Sequence, residues 1–228
     1  MFVKKENREK NIEIVNRIKE GAKIYRDELA GKTFLIIFEG QSIEVMFKKE
    51  NFLHFTGVET NLYAEDFYKK ALIEGKGGLK YTEIGFSVFK PYHFADIKTS
   101  HLKEAFTLFQ RDTLIITDLH TNSTDYKFGS TDFELVFGFN DRLNDEGIKI
   151  NDFLVPQTLR IEELANNQYQ EMFSVDYILS RKNDQNEYDE IVFGEKEELF
   201  AYLDEHEEIQ LKHHISNDLR MEKEDYER

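Results

Sequence analysis

The sequence predicts an α+β fold: a mainly antiparallel β-sheet with N-terminal, central and C-terminal helices packed against it. Three observations carry that expectation. Ile14, Ile18, Ala22, Tyr25 and Leu29 recur at three- and four-residue steps, the period of one helix face. Short β-type runs cluster around hairpin-length connections, as at residues 33–38 and 43–47. The chain also carries 20 Phe and 11 Tyr, which favour pleated, half-buried surfaces and can fill a core.

Residues 4 to about 30 read as the first helix, with Gly31 as its stop. Two strands and a tight connection at residues 39–42 follow. The stretch 51–58 is expected to be a third strand, completing an antiparallel meander with His54 and Thr56 on one face and Gly57 allowing a sharp exit. Helical spacing returns at 62–73, and residues 75–79 form a loop whose glycines lack the spacing of a phosphate loop. Residues 80–95 fit no single pattern, whereas 97–110 suit a helix through Leu102, Ala105, Phe106 and Phe109. Strands are expected at 114–119, 126–128 and 133–139, then a polar loop at 141–152 and a short strand at 153–155. Pro156 is expected to open a short helix reaching Leu164, because proline suits a first helical turn. Strands at 173–179 and 188–193, a helix over 195–209 and a charged, fraying tail from Gln210 complete the reading. With no repeat and no Pro- or Gly-rich linker, residues 1–209 are expected to form one domain and 210–228 a tail.

Composition narrows the function classes. The absence of cysteine excludes disulfides, thiolate catalysis and Cys-ligated zinc. No segment approaches the roughly 20 apolar residues of a membrane-spanning helix. Charges occupy the N-terminal stretch where a signal peptide needs an apolar region, so a cytoplasmic location and no membrane partner are expected. A net charge of −15 repels nucleic acid at long range without forbidding a local basic cleft. The histidine spacings match no metal signature, and no nucleotide or metal-binding motif is present, so no metal or cofactor is expected.

A metal-independent RNA-cleaving site needs a general base for the ribose 2′-hydroxyl, an acid for the leaving oxygen, and donors for the phosphate. Histidine titrates in the useful range, which makes His54 a candidate, and Thr56 lies beside it on the expected strand. Lys48 and Lys49 precede that stretch, while Gln157, Thr158 and Arg160 surround the expected helix start, where anions are favoured. The plainer alternative makes His54 and Thr56 ordinary strand residues and Thr158 a local backbone partner.

Phe52, Leu53, His54, Phe55, Thr56 and Gly57, followed by Ala64, Phe67 and Tyr68, resemble the signature of a phage and mobile-element family. That family is grouped with barnase, EndoU, colicin and RelE nucleases, in its fourth phage subgroup. Lys98 to Phe109 fits its lysine-containing helix, residues 132–139 its later strand, and residues 155–159 its turn, with Val155 and Thr158 in place of Tyr and Ser. The resemblance spans roughly residues 35 to 195. It implies an α+β nuclease-like fold and an endoribonuclease role, with His54, Thr56 and Thr158 as catalytic candidates and Gln157 and Lys98 beside them.

Two functions stay open on the sequence. One is an RNase-like enzyme acting on RNA in a local cleft. The other is an acidic protein that occupies a basic partner, such as a host defence nuclease. Convergence of Lys48, Lys49, Lys98 and Arg160 on His54 would favour the first, and scatter the second.

Overall fold

The computed structural model describes residues 5–121, 124–165 and 167–219. Helix α1 (Lys5–Glu28) buries Ile14, Ile18, Ala22 and Tyr25, the face expected from their spacing. Strands β1 (Lys32–Phe38) and β2 (Gln41–Met46) pair as an antiparallel hairpin. Short helix α2 (Phe52–Thr56) and helices α3 (Ala64–Leu72), α4 (Tyr92–Ser100) and α5 (Leu102–Phe106) form the central helical group. Strands β3 (Leu114–His120), β4 (Asp125–Thr131), β5 (Leu135–Leu143), β6 (Lys149–Ile161), β7 (Met172–Ser174), β8 (Tyr177–Lys182) and β9 (Glu190–Phe193) follow. Helices α6 (Lys196–Glu205) and α7 (Glu207–Lys212) close the described chain.

All nine strands join one sheet in the order β7-β3-β4-β5-β6-β2-β1-β8-β9, antiparallel except for β2 with β6. The fold is therefore α+β with a mainly antiparallel sheet and helices in the three expected places. Only Val175 and Asp176 link β7 to β8, although these strands lie far apart in the sheet order. Asp176 donates its N–H to the Ile37 carbonyl and Val175 to the Thr113 carbonyl, so the sheet curves until its β7 edge returns beside β8.

One face packs α1 to α5 in a core centred on Tyr25, Phe47, Phe52, Phe55, Phe106 and Phe137. The other face of β1 and β8 meets α6 and α7 through Leu35, Ile37, Leu179, Leu199, Leu203 and Ile209. Burial on both faces explains why β1 reads as a continuous apolar run.

The structure corrects several local expectations; among them, the helices expected over 97–110 and 195–209 are each divided, the second at His206. Residues 52–56 are helical: Phe52, Phe55 and Thr56 are buried at helical spacing, and Gly57 caps the end at φ 72°. A stretch this short satisfies both the two-residue and the 3.6-residue period, and packing against the aromatic core selects the helix. The meander is accordingly absent; β1 takes β8, and β2 takes β6, as second partners.

Pro156 opens no helix and lies inside β6. The register with β5 shifts between Gly138 and Phe139, passing from Thr158 to Pro156 and leaving Gln157 as the bulged residue. Bulges are among the few places where a strand tolerates the missing N–H of proline. The polar loop expected at 141–152 shrinks, because β5 runs to Leu143 and β6 starts at Lys149. The strand expected at 173–179 is divided between β7 and β8. Residues 210–219 do not fray; His213, Ser216 and Leu219 are buried. The rest of the expected tail, 220–228, lies outside the described residues.

Candidate active site

The site forms where α2 and α4 flank the C-terminal half of β6. Beyond a single pairing of Val45 with Leu154, β2 does not cover this part of β6, so its edge faces the helices. Asn51 ties the two together, donating from Nδ2 to the Pro156 carbonyl at 3.2 Å. Gly57 brings α2 against α4: a Cβ on it would lie 3.1 Å from the Ala95 Cα and 3.2 Å from the Lys98 side chain.

Against that edge lies a cleft of about 230 Å³, lined by Phe94, Ile97, Lys98, Thr158, Arg160, Ile161 and Glu162. Lys98 is half-buried and makes no ion pair among the described residues. Burial, then the charges of Arg160 and Lys90, lower its pKa to about 8, with Glu162 opposing them. Arg160 is held by Glu162 through Nε and Nη2. Thr158 packs its methyl group over Gly138, where a Cβ would approach it to 2.9 Å. Its hydroxyl has no protein hydrogen-bond partner among the described residues.

His54 stands on the exposed side of α2. Solvent reaches it, yet enough protein surrounds the ring that desolvation, followed by the charges of Lys90 and Lys98, holds its pKa below the ordinary imidazole value. It is thus mostly neutral at neutral pH. Lys90, whose charge acts on both His54 and Lys98, lines a separate groove of about 690 Å³ with Leu53, Val58 and Glu59.

The sequence-derived candidates divide. Lys98, Thr158 and Arg160 line this cleft together, and His54 lies outside its lining but near enough to Lys98 to feel that charge. Thr56 takes no part: it is fully buried, and its hydroxyl donates to the Leu53 carbonyl at 2.9 Å. The expected shared face with His54 is therefore corrected, since a two-residue step on a helix turns side chains well apart. Gln157, on the bulge, is exposed and accepts from Asn140 Nδ2 at 3.3 Å, away from the cleft lining. Lys48 neighbours Arg142 and Glu50, and Lys49 lies near Glu65, so neither joins the cluster.

Sequence reasoning missed Lys90, Phe94, Ile97 and Glu162 as neighbours of the site. A signal was present for part of them. Pro91 begins α4 in the manner of a helix-start proline, which would have placed Phe94, Ile97 and Lys98 on one helical face.

No curated protein and no solved structure gives a significant match to this chain. A family model does match, over residues 17–197, an extent that includes the stretch expected from the motifs and also part of α1. With the order of its motifs carried by the α+β sheet and helices described above, the chain belongs to the family phage-Barnase-EndoU-ColicinE5/D-RelE like nuclease4.

Proposed function

We propose that the protein is a metal-independent endoribonuclease acting at the cleft between α4 and β6. The observation that carries this reading is the ammonium of Lys98: half-buried, without a carboxylate partner among the described residues, and facing Arg160 and Lys90. Like charges gathered in a partly dry site are unfavourable alone and favourable around an anion, and a phosphodiester supplies that anion.

The reaction follows from the protonation states. Neutral His54 takes the proton of a ribose 2′-hydroxyl as its oxygen attacks the adjacent phosphorus. The 2′-oxygen–phosphorus bond forms, and the bond from phosphorus to the 5′-oxygen of the next nucleotide breaks. Arg160 and the Thr158 hydroxyl hold the non-bridging oxygens as charge develops on them. Lys98, protonated below a pKa of about 8, gives its proton to the departing 5′-oxygen. The products are a 2′,3′-cyclic phosphate and a free 5′-hydroxyl. The nucleophile belongs to the substrate, so the route needs no metal-activated water.

The test is cleavage of varied RNAs in EDTA by the wild type and His54→Ala. The wild type should give cyclic-phosphate ends, and the variant should cleave about 100-fold more slowly or worse while retaining its circular dichroism. In kcat/KM, the acid limb should fall below the usual imidazole range and the alkaline limb near pH 8, as His54 protonates and Lys98 deprotonates. An RNase activity untouched by His54→Ala, or none on any RNA, would overturn the proposal.

A further inference from the structure

The cleft holds an apolar wall that phosphate chemistry does not use. Phe94 and Ile97 lie three residues apart on α4, on the face that also carries Lys98, and both line the cleft. They are 49% and 44% exposed, although a large aromatic at such a position could have turned into the core that buries most of its kind. The ring of His93 meets that of Phe94 edge-on, with centroids 4.4 Å apart. Upstream, Phe89 is 89% exposed beside Lys90, on a turn closed by Ser87 donating its N–H to the Lys90 carbonyl at 3.0 Å. Aromatic and cationic residues thus alternate in sequence from the turn into α4, the exposed Phe89, Lys90 and Phe94 followed by the half-buried Lys98.

We infer that Phe94, with Ile97 beneath, is a stacking platform for one unpaired base, and that the site selects single-stranded over duplex RNA. The inference rests on the proposed RNase reading and specifies its substrate. Every base has a face that stacks on an aromatic ring, so a Phe next to cations binds single strands with little sequence preference. A base already paired and stacked in an A-form helix cannot offer that face, and a duplex is read by shape instead. The size agrees: a space of about 230 Å³ is smaller than the roughly 300–1,000 Å³ of typical ligand pockets, suiting one base and its phosphate. Charge complementarity fixes the register, with the base on Phe94 and its phosphate toward Arg160 and Lys98.

The full chain is tested by fluorescence anisotropy with a labelled 2′-O-methyl oligoribonucleotide, which lacks the attacking hydroxyl and cannot be cleaved. It is presented as a single strand and annealed to its complement, and cleavage of the unmodified strand is followed in parallel. Phe94→Ala should weaken single-strand binding roughly tenfold or more, the range of one lost stacking contact. Phe94→Trp should restore it, Phe94→Leu should not, and the duplex should bind weakly to all four proteins. Single-strand affinity within about twofold of wild type in Phe94→Ala, or duplex binding as tight as single-strand binding, overturns the platform. A wild type that cleaves nothing yet binds with this dependence on Phe94 retains the platform and loses the RNase reading. A wild type whose cleavage is indifferent to Phe94 retains the RNase reading and loses the platform.

Discussion

Lys98 sets chemistry against stability within one side chain. Its ammonium is partly desolvated and faces Arg160 and Lys90, and Glu162, the carboxylate nearest to helping, is engaged by Arg160. The folded pKa of about 8 lies below the 10.5 of a free lysine, so the unfolded chain binds the extra proton between those values. The penalty is fully present below about pH 8 and disappears as pH rises through about 10.5. Lys98→Met should therefore stabilise the protein below pH 8 by about 1–3 kcal/mol, with the difference from wild type fading at alkaline pH. Urea denaturation across pH measures this. Cleavage by the same variant should fall about 100-fold or more, the trade expected where a strained group serves function. A variant that is less stable at neutral pH would show that Lys98 contributes packing rather than a charge conflict.

At the scale of elements, the junction of α2 with α4 decides whether the site exists. Gly57 holds φ at 72°, where a side chain costs about 1–2 kcal/mol, and its Cα faces the backbone of Ala95. Gly57→Ala should cost about 2 kcal/mol in thermal or urea unfolding and push α4 outward, displacing Lys98 from Arg160. Cleavage should drop by more than the stability loss explains at temperatures where the variant stays folded. The bulge at Gln157 acts on the opposite wall. By skipping one residue it lets Leu154 and Leu159 both face the core, and so sends Thr158 and Arg160 to the cleft side.

The whole molecule depends on its C-terminal segment more than its charge suggests. Residues 213–216 lie against Tyr188, which donates its N–H to the His214 carbonyl at 2.8 Å and accepts from the Ser216 N–H at 2.9 Å. His213 is buried with Nε2 2.9 Å from the Ser42 hydroxyl, and the Tyr188 hydroxyl donates to Glu44. Deleting residues 210–228 would leave Glu44 and Tyr188 short of partners and expose Ile209, at a cost of about 2 kcal/mol or more. The midpoint of urea unfolding checks this. A truncated chain of unchanged stability would restore the sequence expectation of a free acidic tail, the surface on which a basic-partner function would rest. On the proposed RNase reading the net charge of −15 also bears on the cleft: salt screens the repulsive field of the whole molecule as well as the pull of the local cations, so RNA binding should weaken with salt less steeply than binding to a basic nuclease does.

What the sequence determined by itself follows from local periodicity and short-range pairing. The face of α1, the β1–β2 hairpin, the helix at α3 and the α+β class all rest on patterns within a dozen or so residues. His54, Lys98, Thr158 and Arg160 were also legible as candidates, because their side-chain chemistry suits phosphate and proton transfer wherever they sit. Only the tertiary structure decided which way they point. Residues 52–56 fit either period, and burial of Phe52 and Phe55 in the aromatic core chose the helix, separating His54 from Thr56. Pro156 obeys one rule at a helix start and another at a bulge, and pairing with β5 chose the second. The depressed pKa of Lys98 lies still further from the sequence. It arises first from burial and then from Arg160 and Lys90, brought together from β6 and from a turn before α4, and both burial and electrostatic energy depend on position in space.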